Sequence, residues 1–208
     1  MAMILNGDGA QINDRSKGTL WVVDNYYKDP YAIRDFALQQ EYGEGGFGRG
    51  FMGNRTGEQF IVDGTKESFE RIMGKKITNW TETYQVCGVF QYCTAKDHLV
   101  YHADSQMYAG VVYLTPDAPY ETGTSLIAHR KTRVRHSSEP GADEMWADAA
   151  PTGCFVDSTP WQEVDVVGNV FNRLVLWDGH CPHTASKYFG FTKETSRLFH
   201  IFFFDVEE

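Results

Sequence analysis

The chain has 208 residues, 42% hydrophobic and 14% aromatic, with 19 Lys+Arg against 28 Asp+Glu and a net charge of −9. That length suffices to bury one substantial core, and the acidic balance argues against bulk binding to nucleic acid or to an anionic membrane surface. No apolar run approaches the roughly 18 residues of a membrane span.

The opening, MAMILNGDGAQINDRSKG, lacks a charged segment followed by a long apolar one, so no signal peptide is expected. Cys87, Cys93, Cys154 and Cys181 form no C-x-x-C pair. They read as reduced, buried thiols of a cytoplasmic protein. Cys181 with His180 and His183 crowds three possible zinc ligands into HCPH, but no second cysteine pair completes a zinc knuckle.

In chain order, fraying is expected up to about Gly18, and TLWVVDNYY then reads as a strand. A helix follows, with Asp29 as N-cap and Pro30 at the first helical position. Its apolar stripe runs through Ala32/Ile33, Phe36/Ala37 and Gln40. Gly43 to Gly53 is glycine-rich but matches neither dinucleotide nor P-loop patterns, and reads as a loop at a pocket mouth. GTKESFERIMGKK is a second short helix, with Phe69, Ile72 and Met73 inward and a stop at Gly74.

From Trp80 onward the signal changes to strands: TYQVCGVFQYC, HLVYHADS, YAGVVYLTP, GTSLIAHR, WQEVDVVG, NRLVLWDG and RLFHIFFFDV. Their spacing suggests a sandwich or jelly roll. Lys131 to Pro160 is a long polar insertion with one helical turn around Asp143 to Ala149, read as a lid or as disorder. The expected organisation is one α+β domain over 1–208. Residues 1–79 would supply a strand and a helical cover, and 80–208 the β core.

Three places carry chemistry. His102 and Asp104 lie two apart in a strand-like run, so both face one way with Cα atoms about 7 Å apart, within reach of one metal ion. His183 follows the NRLVLWDG strand and a turn, with His180 as its rival. Arg197 opens the last strand. There Arg197, Phe199, Ile201 and Phe203 share one face, and Leu198, His200, Phe202 and Phe204 the other. Both faces are apolar, so the strand is covered on both sides. A guanidinium there calls for an anion. Arg173 is the rival cation, and His200 reads as a packing residue.

YHAD, CPHT and SRLFHIFFF, in that order, resemble the 2-oxoglutarate/Fe(II)-dependent oxygenases, particularly the prolyl-4-hydroxylase-like branch. ETGT, Glu121 to Thr124, stands in place of a family Gly-Gly-Thr-like turn. The resemblance covers about Tyr84 to Asp205. It implies a double-stranded β-helix (jelly roll) with N-terminal supporting helices. It also implies Fe(II) on His102, Asp104 and His183, and family register favours His183 over His180.

Further implications are 2-oxoglutarate held by Arg197, and oxidation of a substrate C–H bond with release of succinate and CO2. Tyr92 and Tyr113 are both candidates to bond the co-substrate, with packing as the equal alternative. The expected partner is a small-molecule or peptidyl substrate; the oligomeric state is not readable. The basic run HRKTRVRH (His129 to His136) reads either as a solvated loop with local ion pairs or as an anion contact or closing lid. Arg55 is a further candidate substrate contact, and Trp146 and Trp161 are candidate pocket-lining residues. The rival function is a metal-containing jelly roll that binds a ligand without 2-oxoglutarate turnover, or a related enzyme that uses the metal alone.

Overall fold

Two helices begin and end on local chemistry. Asp29 caps the first, its Oδ1 accepting the Ala32 N–H at 3.1 Å, with Pro30 at the helix start. Gly74 closes the second, its N–H bonding Glu70 O at 2.8 Å. The computed structural model describes residues 19–46, 51–151, 153 and 155–207. Their elements are β1 (Leu20–Val23), α1 (Pro30–Gln39), β2 (Tyr42–Gly46), β3 (Phe51–Thr56), α2 (Thr65–Met73), β4 (Ile77–Asn79) and β5 (Val89–Cys93). After these come β6 (Tyr108–Tyr113), β7 (Thr124–His129), α3 (Ala142–Ala149), β8 (Trp161–Val167), β9 (Leu174–Asp178), β10 (His183–Ala185) and β11 (Arg197–Val206).

The strands form two antiparallel sheets. The larger runs β1-β9-β6-β11-β5-β3-β2, with β4 pairing the end of β11; the smaller runs β10-β7-β8. With three helices beside the two sheets, the class is α+β. Strand alternation then sorts β11. Leu198, Phe202 and Phe204 join Phe69, Met73 and Ala37 in a core between the large sheet and the helices. Phe199, Ile201 and Phe203 join Val111, Tyr113, Val175 and, from the small sheet, Leu126 and Val167. A third cluster packs Met145 and Ala149 of α3 against Ile127, Val134 and Trp161. Full burial of a Leu or Phe side chain contributes about 1.5–3 kcal/mol.

Several sequence expectations need correction. Residues 43–53 hold most of β2 and the start of β3, which pair as a hairpin; residues 47–50 lie outside the described part. Glycines gave no strand signal there, and pairing with the apolar β5 supplies what propensity does not. HLVYHADS forms no strand: it crosses extended and pairs only at His102. In TYQVCGVFQYC, turns fill the first half and the strand begins at Val89. The α1 stripe centres on buried Ala37 and half-buried Ile33, while Phe36 is 43% exposed. The 131–160 insertion carries α3, held on the small sheet by its own apolar cluster. Cys87, Cys93 and Cys181 are free thiols, the first two buried; Cys154 lies outside the described residues.

Candidate active site

The backbone brings the histidines together before any side chain does. His102 N–H bonds His183 O at 3.1 Å and His183 N–H bonds His102 O at 2.7 Å, a lone antiparallel bridge. Two residues after His102, Asp104 N–H bonds Gly179 O at 2.7 Å. Gly179 permits that crossing: a Cβ there would stand 2.4 Å from Gln106 O and 3.2 Å from Asp104 Cβ.

On this frame the side chains converge. His102 Nε2 is 3.4 Å from Asp104 Oδ1, and His183 Nε2 is 3.4 Å from Asp104 Oδ2. The three ligand atoms all lie within 4.8 Å of one another. His102 Nδ1 faces Val100 O at 3.2 Å and His183 Nδ1 faces Cys181 O at 2.9 Å. Each carbonyl accepts a hydrogen bond from Nδ1–H, which leaves both Nε2 lone pairs turned toward Asp104. Asp104 Oδ2 is buried and accepts no hydrogen bond. A buried carboxylate oxygen without a donor is costly, and a cation held by all three groups removes that cost.

Charge distribution follows burial. Burial, helped by the neighbouring His102 and opposed by Asp104, drives the His183 pKa down to about 4. Burial also opposes charge on His102, but the facing Asp104 carboxylate and the Val100 carbonyl together outweigh it and its pKa rises. Asp104 is pushed up by burial and pulled down further by His183 and His102, so it stays ionised.

These groups line a cavity of about 920 Å³ that Arg197 also lines. Arg197 is 3% exposed. Its Nε donates to Thr122 O at 3.0 Å, and Nη2 to Gly123 O and Thr124 Oγ1 at 3.2 and 3.3 Å. Its guanidinium lies 4.4 Å from the Phe199 ring centroid. The carbonyls come from the ETGT turn, whose Gly123 lies against β8: a Cβ there would meet Val167 O at 1.8 Å. Among the described residues no carboxylate reaches Arg197, so this buried charge meets only neutral acceptors.

The other candidates divide by strand phase. Tyr113 pairs with Phe199 and shares Arg197's face; its hydroxyl is 2.7 Å from Thr124 Oγ1. Tyr92 pairs with Leu198, which turns it to the helical side, its ring 5.1 Å from Tyr42's. Arg173, the rival to Arg197, is bound to Asp24 at 2.6 and 3.0 Å. His200 packs in the helical core, bonded to Tyr27 and Gly88.

His180 belongs to a separate group, with His136 Nε2 3.4 Å and His180 Nδ1 3.9 Å from Asp178 Oδ1. His136 Nδ1 accepts Ser138 N–H at 3.1 Å, which leaves the ring proton on Nε2, facing the carboxylate. That arrangement ties the insertion to the turn before His183. The basic run is held locally, His129 by Asp148 at 3.0 Å and Lys131 by Glu144 at 3.0 Å. Trp146 lines the cavity, whereas Trp161 is buried beneath α3.

Gln91, Tyr188, Trp177 and Phe155 also line the cavity and were missed from sequence. Only Gln91 left a signal, as a polar residue in the apolar strand VFQYC.

No family model and no curated protein matches this sequence. Solved structures do. HygX from Streptomyces hygroscopicus, with nickel and 2-oxoglutarate bound, superposes at TM-score 0.58 and 12% identity, over 94% of this chain and 85% of that one. A Trichoplax adhaerens prolyl hydroxylase in complex with a hypoxia-inducible-factor peptide gives 0.54 at 10%, over 96% and 94%. A Pseudomonas putida prolyl-4-hydroxylase gives 0.50 at 14%, over 96% and 98%. The chain therefore has the fold of the 2-oxoglutarate-dependent oxygenases, prolyl hydroxylases among them, that the sequence motifs resembled.

Proposed function

We propose that this chain is an Fe(II)- and 2-oxoglutarate-dependent oxygenase, one domain on a double-stranded β-helix, that hydroxylates a C–H bond of a small-molecule or peptidyl substrate. The observation that carries it is the convergence of His102 Nε2, Asp104 and His183 Nε2 in one cavity with a buried, acid-free Arg197. Two imidazoles and one carboxylate would hold three positions of an octahedral iron and leave three open. HygX, crystallised with nickel and 2-oxoglutarate, supports the choice of cofactors.

When bound, iron and 2-oxoglutarate supply the oxidation: 2-oxoglutarate and O2 become succinate and CO2, and the second oxygen atom enters the substrate C–H bond. The chain's own part is placement. Arg197 would take the far carboxylate of the co-substrate, a bond Arg is shaped for. The Tyr113–Thr124 hydroxyl pair fixes the acceptor beside Arg197. Trp177, its ring 5.1 Å from that of His183, and Tyr188 supply apolar wall that excludes water.

The metal-only binding module is disfavoured, because it gives no reason to bury Arg197 among carbonyls. Anaerobic protein with Fe(II) and 2-oxoglutarate should show a weak visible charge-transfer absorption, and His102→Ala should abolish it. Succinate should form when O2 is admitted. Wild-type protein that binds neither iron nor 2-oxoglutarate sinks the reading.

A further inference from the structure

Two buried polar atoms flank His183 without a partner among the described residues, and they are of opposite kind. Asp104 Oδ2, 3.4 Å from His183 Nε2, accepts no hydrogen bond. Trp177 Nε1, in a ring whose centroid lies 5.1 Å from that of His183, donates none. Trp177 is 4% exposed and lines the same cavity as the triad. A buried indole N–H ordinarily finds an acceptor, and leaving it unmet is costly. A phenyl ring would line the cavity without that cost.

The outer contacts of the two histidines show what Asp104 lacks. His102 Nδ1 is held by Val100 O and His183 Nδ1 by Cys181 O. Ligand carboxylates, like ligand histidines, are oriented by such outer bonds. Each of the three groups offers a metal one ligand atom, so a carboxylate with one oxygen on the ion keeps a second for a donor to meet. The backbone brings a donor near. Asp104 N–H bonds Gly179 O, and a Cβ at Gly179 would stand 3.2 Å from Asp104 Cβ. Gly179 comes two residues after Trp177, about 7 Å of extended chain. An indole and a carboxylate together bridge that span.

We propose that in the metal-loaded protein Trp177 Nε1–H donates to the Asp104 carboxylate and holds it in its coordinating orientation. The inference rests on the reading of His102, Asp104 and His183 as metal ligands. Trp177 is then a positioning residue: it touches neither ion nor substrate through this bond, and acts through Asp104. The hydrogen bond is charge-assisted and shielded from water, so its loss weakens the grip on the ion.

Titration of metal-free, isotope-labelled protein with Zn(II) tests this by NMR and calorimetry. A His136→Gln background keeps the ion off the His136–Asp178–His180 group. Trp177→Phe keeps an aromatic wall and removes the N–H, and it should bind Zn(II) about 10- to 100-fold more weakly. The Trp177 indole N–H signal is one of five in the chain, identified by its loss in Trp177→Phe. It should move downfield as Zn(II) is added and its hydrogen bond forms. A tryptophan that only fills space gives neither result. Trp177→Leu supplies the same assignment and the same affinity comparison where Trp177→Phe does not fold.

Zn(II) binding as tight in Trp177→Phe as in its parent overturns the proposal and leaves the metal site standing, as does an indole signal that stays in place. A parent protein that binds no Zn(II) overturns both. The iron–2-oxoglutarate absorption, recorded on wild type, reports on the oxygenase reading. Trp177-dependent Zn(II) binding without that absorption would sink the oxygenase assignment alone.

Discussion

β11 separates two environments that are equally buried and chemically opposite. On the helical side, His200 is 1% exposed and fully engaged: Tyr27 Oη donates to Nδ1 at 2.7 Å, and Nε2–H donates to Gly88 O at 3.1 Å. On the cavity side, Arg197 is 3% exposed and faces carbonyls, and Asp104 Oδ2 accepts nothing. Burial drives the pKa of both His200 and His183 to about 4, so that shift does not distinguish a structural histidine from a site. What distinguishes them is saturation. A packing histidine has both nitrogens satisfied within the protein, whereas the cavity groups are satisfied only when something else arrives.

Four experiments stress that contrast. The largest effect is expected from Phe69→Ala in the helical core, where the ring lies 5.0 Å from Phe202 and 5.6 Å from Phe204. It should cost about 3–5 kcal/mol in urea denaturation and leave the iron–2-oxoglutarate absorption of the folded fraction intact. Loss of that absorption in folded protein would erase the separation of the two sides.

Acid should act next, through His200. Its folded pKa of about 4 lies below the unfolded value near 6.5, so the unfolded chain binds more protons between them and stability falls as pH falls. The loss through that window approaches about 3 kcal/mol, and His200→Gln should flatten the slope in denaturation series at pH 7, 6, 5 and 4.

On the cavity side, Arg197→Leu should weaken 2-oxoglutarate binding about 100-fold, close to 3 kcal/mol, read by titration of the absorption. Its melting temperature should fall less than that of Phe69→Ala, since losing hydrogen bonds to Thr122 O, Gly123 O and Thr124 Oγ1 is offset by removing a buried cation that no carboxylate meets. A stability loss as large as that of Phe69→Ala would make Arg197 a strut. Smallest of all, Asp24→Asn should cost under about 1 kcal/mol, because Asp24 is half exposed although bidentate to Arg173.

Strand phase made much of this arrangement legible from sequence. The alternation in RLFHIFFF correctly assigned both faces of β11, and with them the separate surroundings of Arg197 and His200. The i, i+2 spacing of His102 and Asp104 brought them to one side even though no strand forms there, because extended backbone keeps the alternation without a ladder. Applied across strands the same logic needs register, which sequence lacks: the β5–β11 pairing sends Tyr92 to the helical side and Cys93 to Arg197.

The β2–β3 hairpin was illegible because glycines carry no pattern. Tyr188 and Phe155 reach the cavity from outside the regular elements, so periodicity said nothing about them.

The paired amide–carbonyl bonds joining His102 and His183 have a practical consequence. Because main chain sets the distance between the two imidazoles, stripping the protein with a chelator should leave its circular dichroism almost unchanged. The apoprotein would then be a standing receptor, reloaded as fast as an ion can shed water, with no refolding step in between.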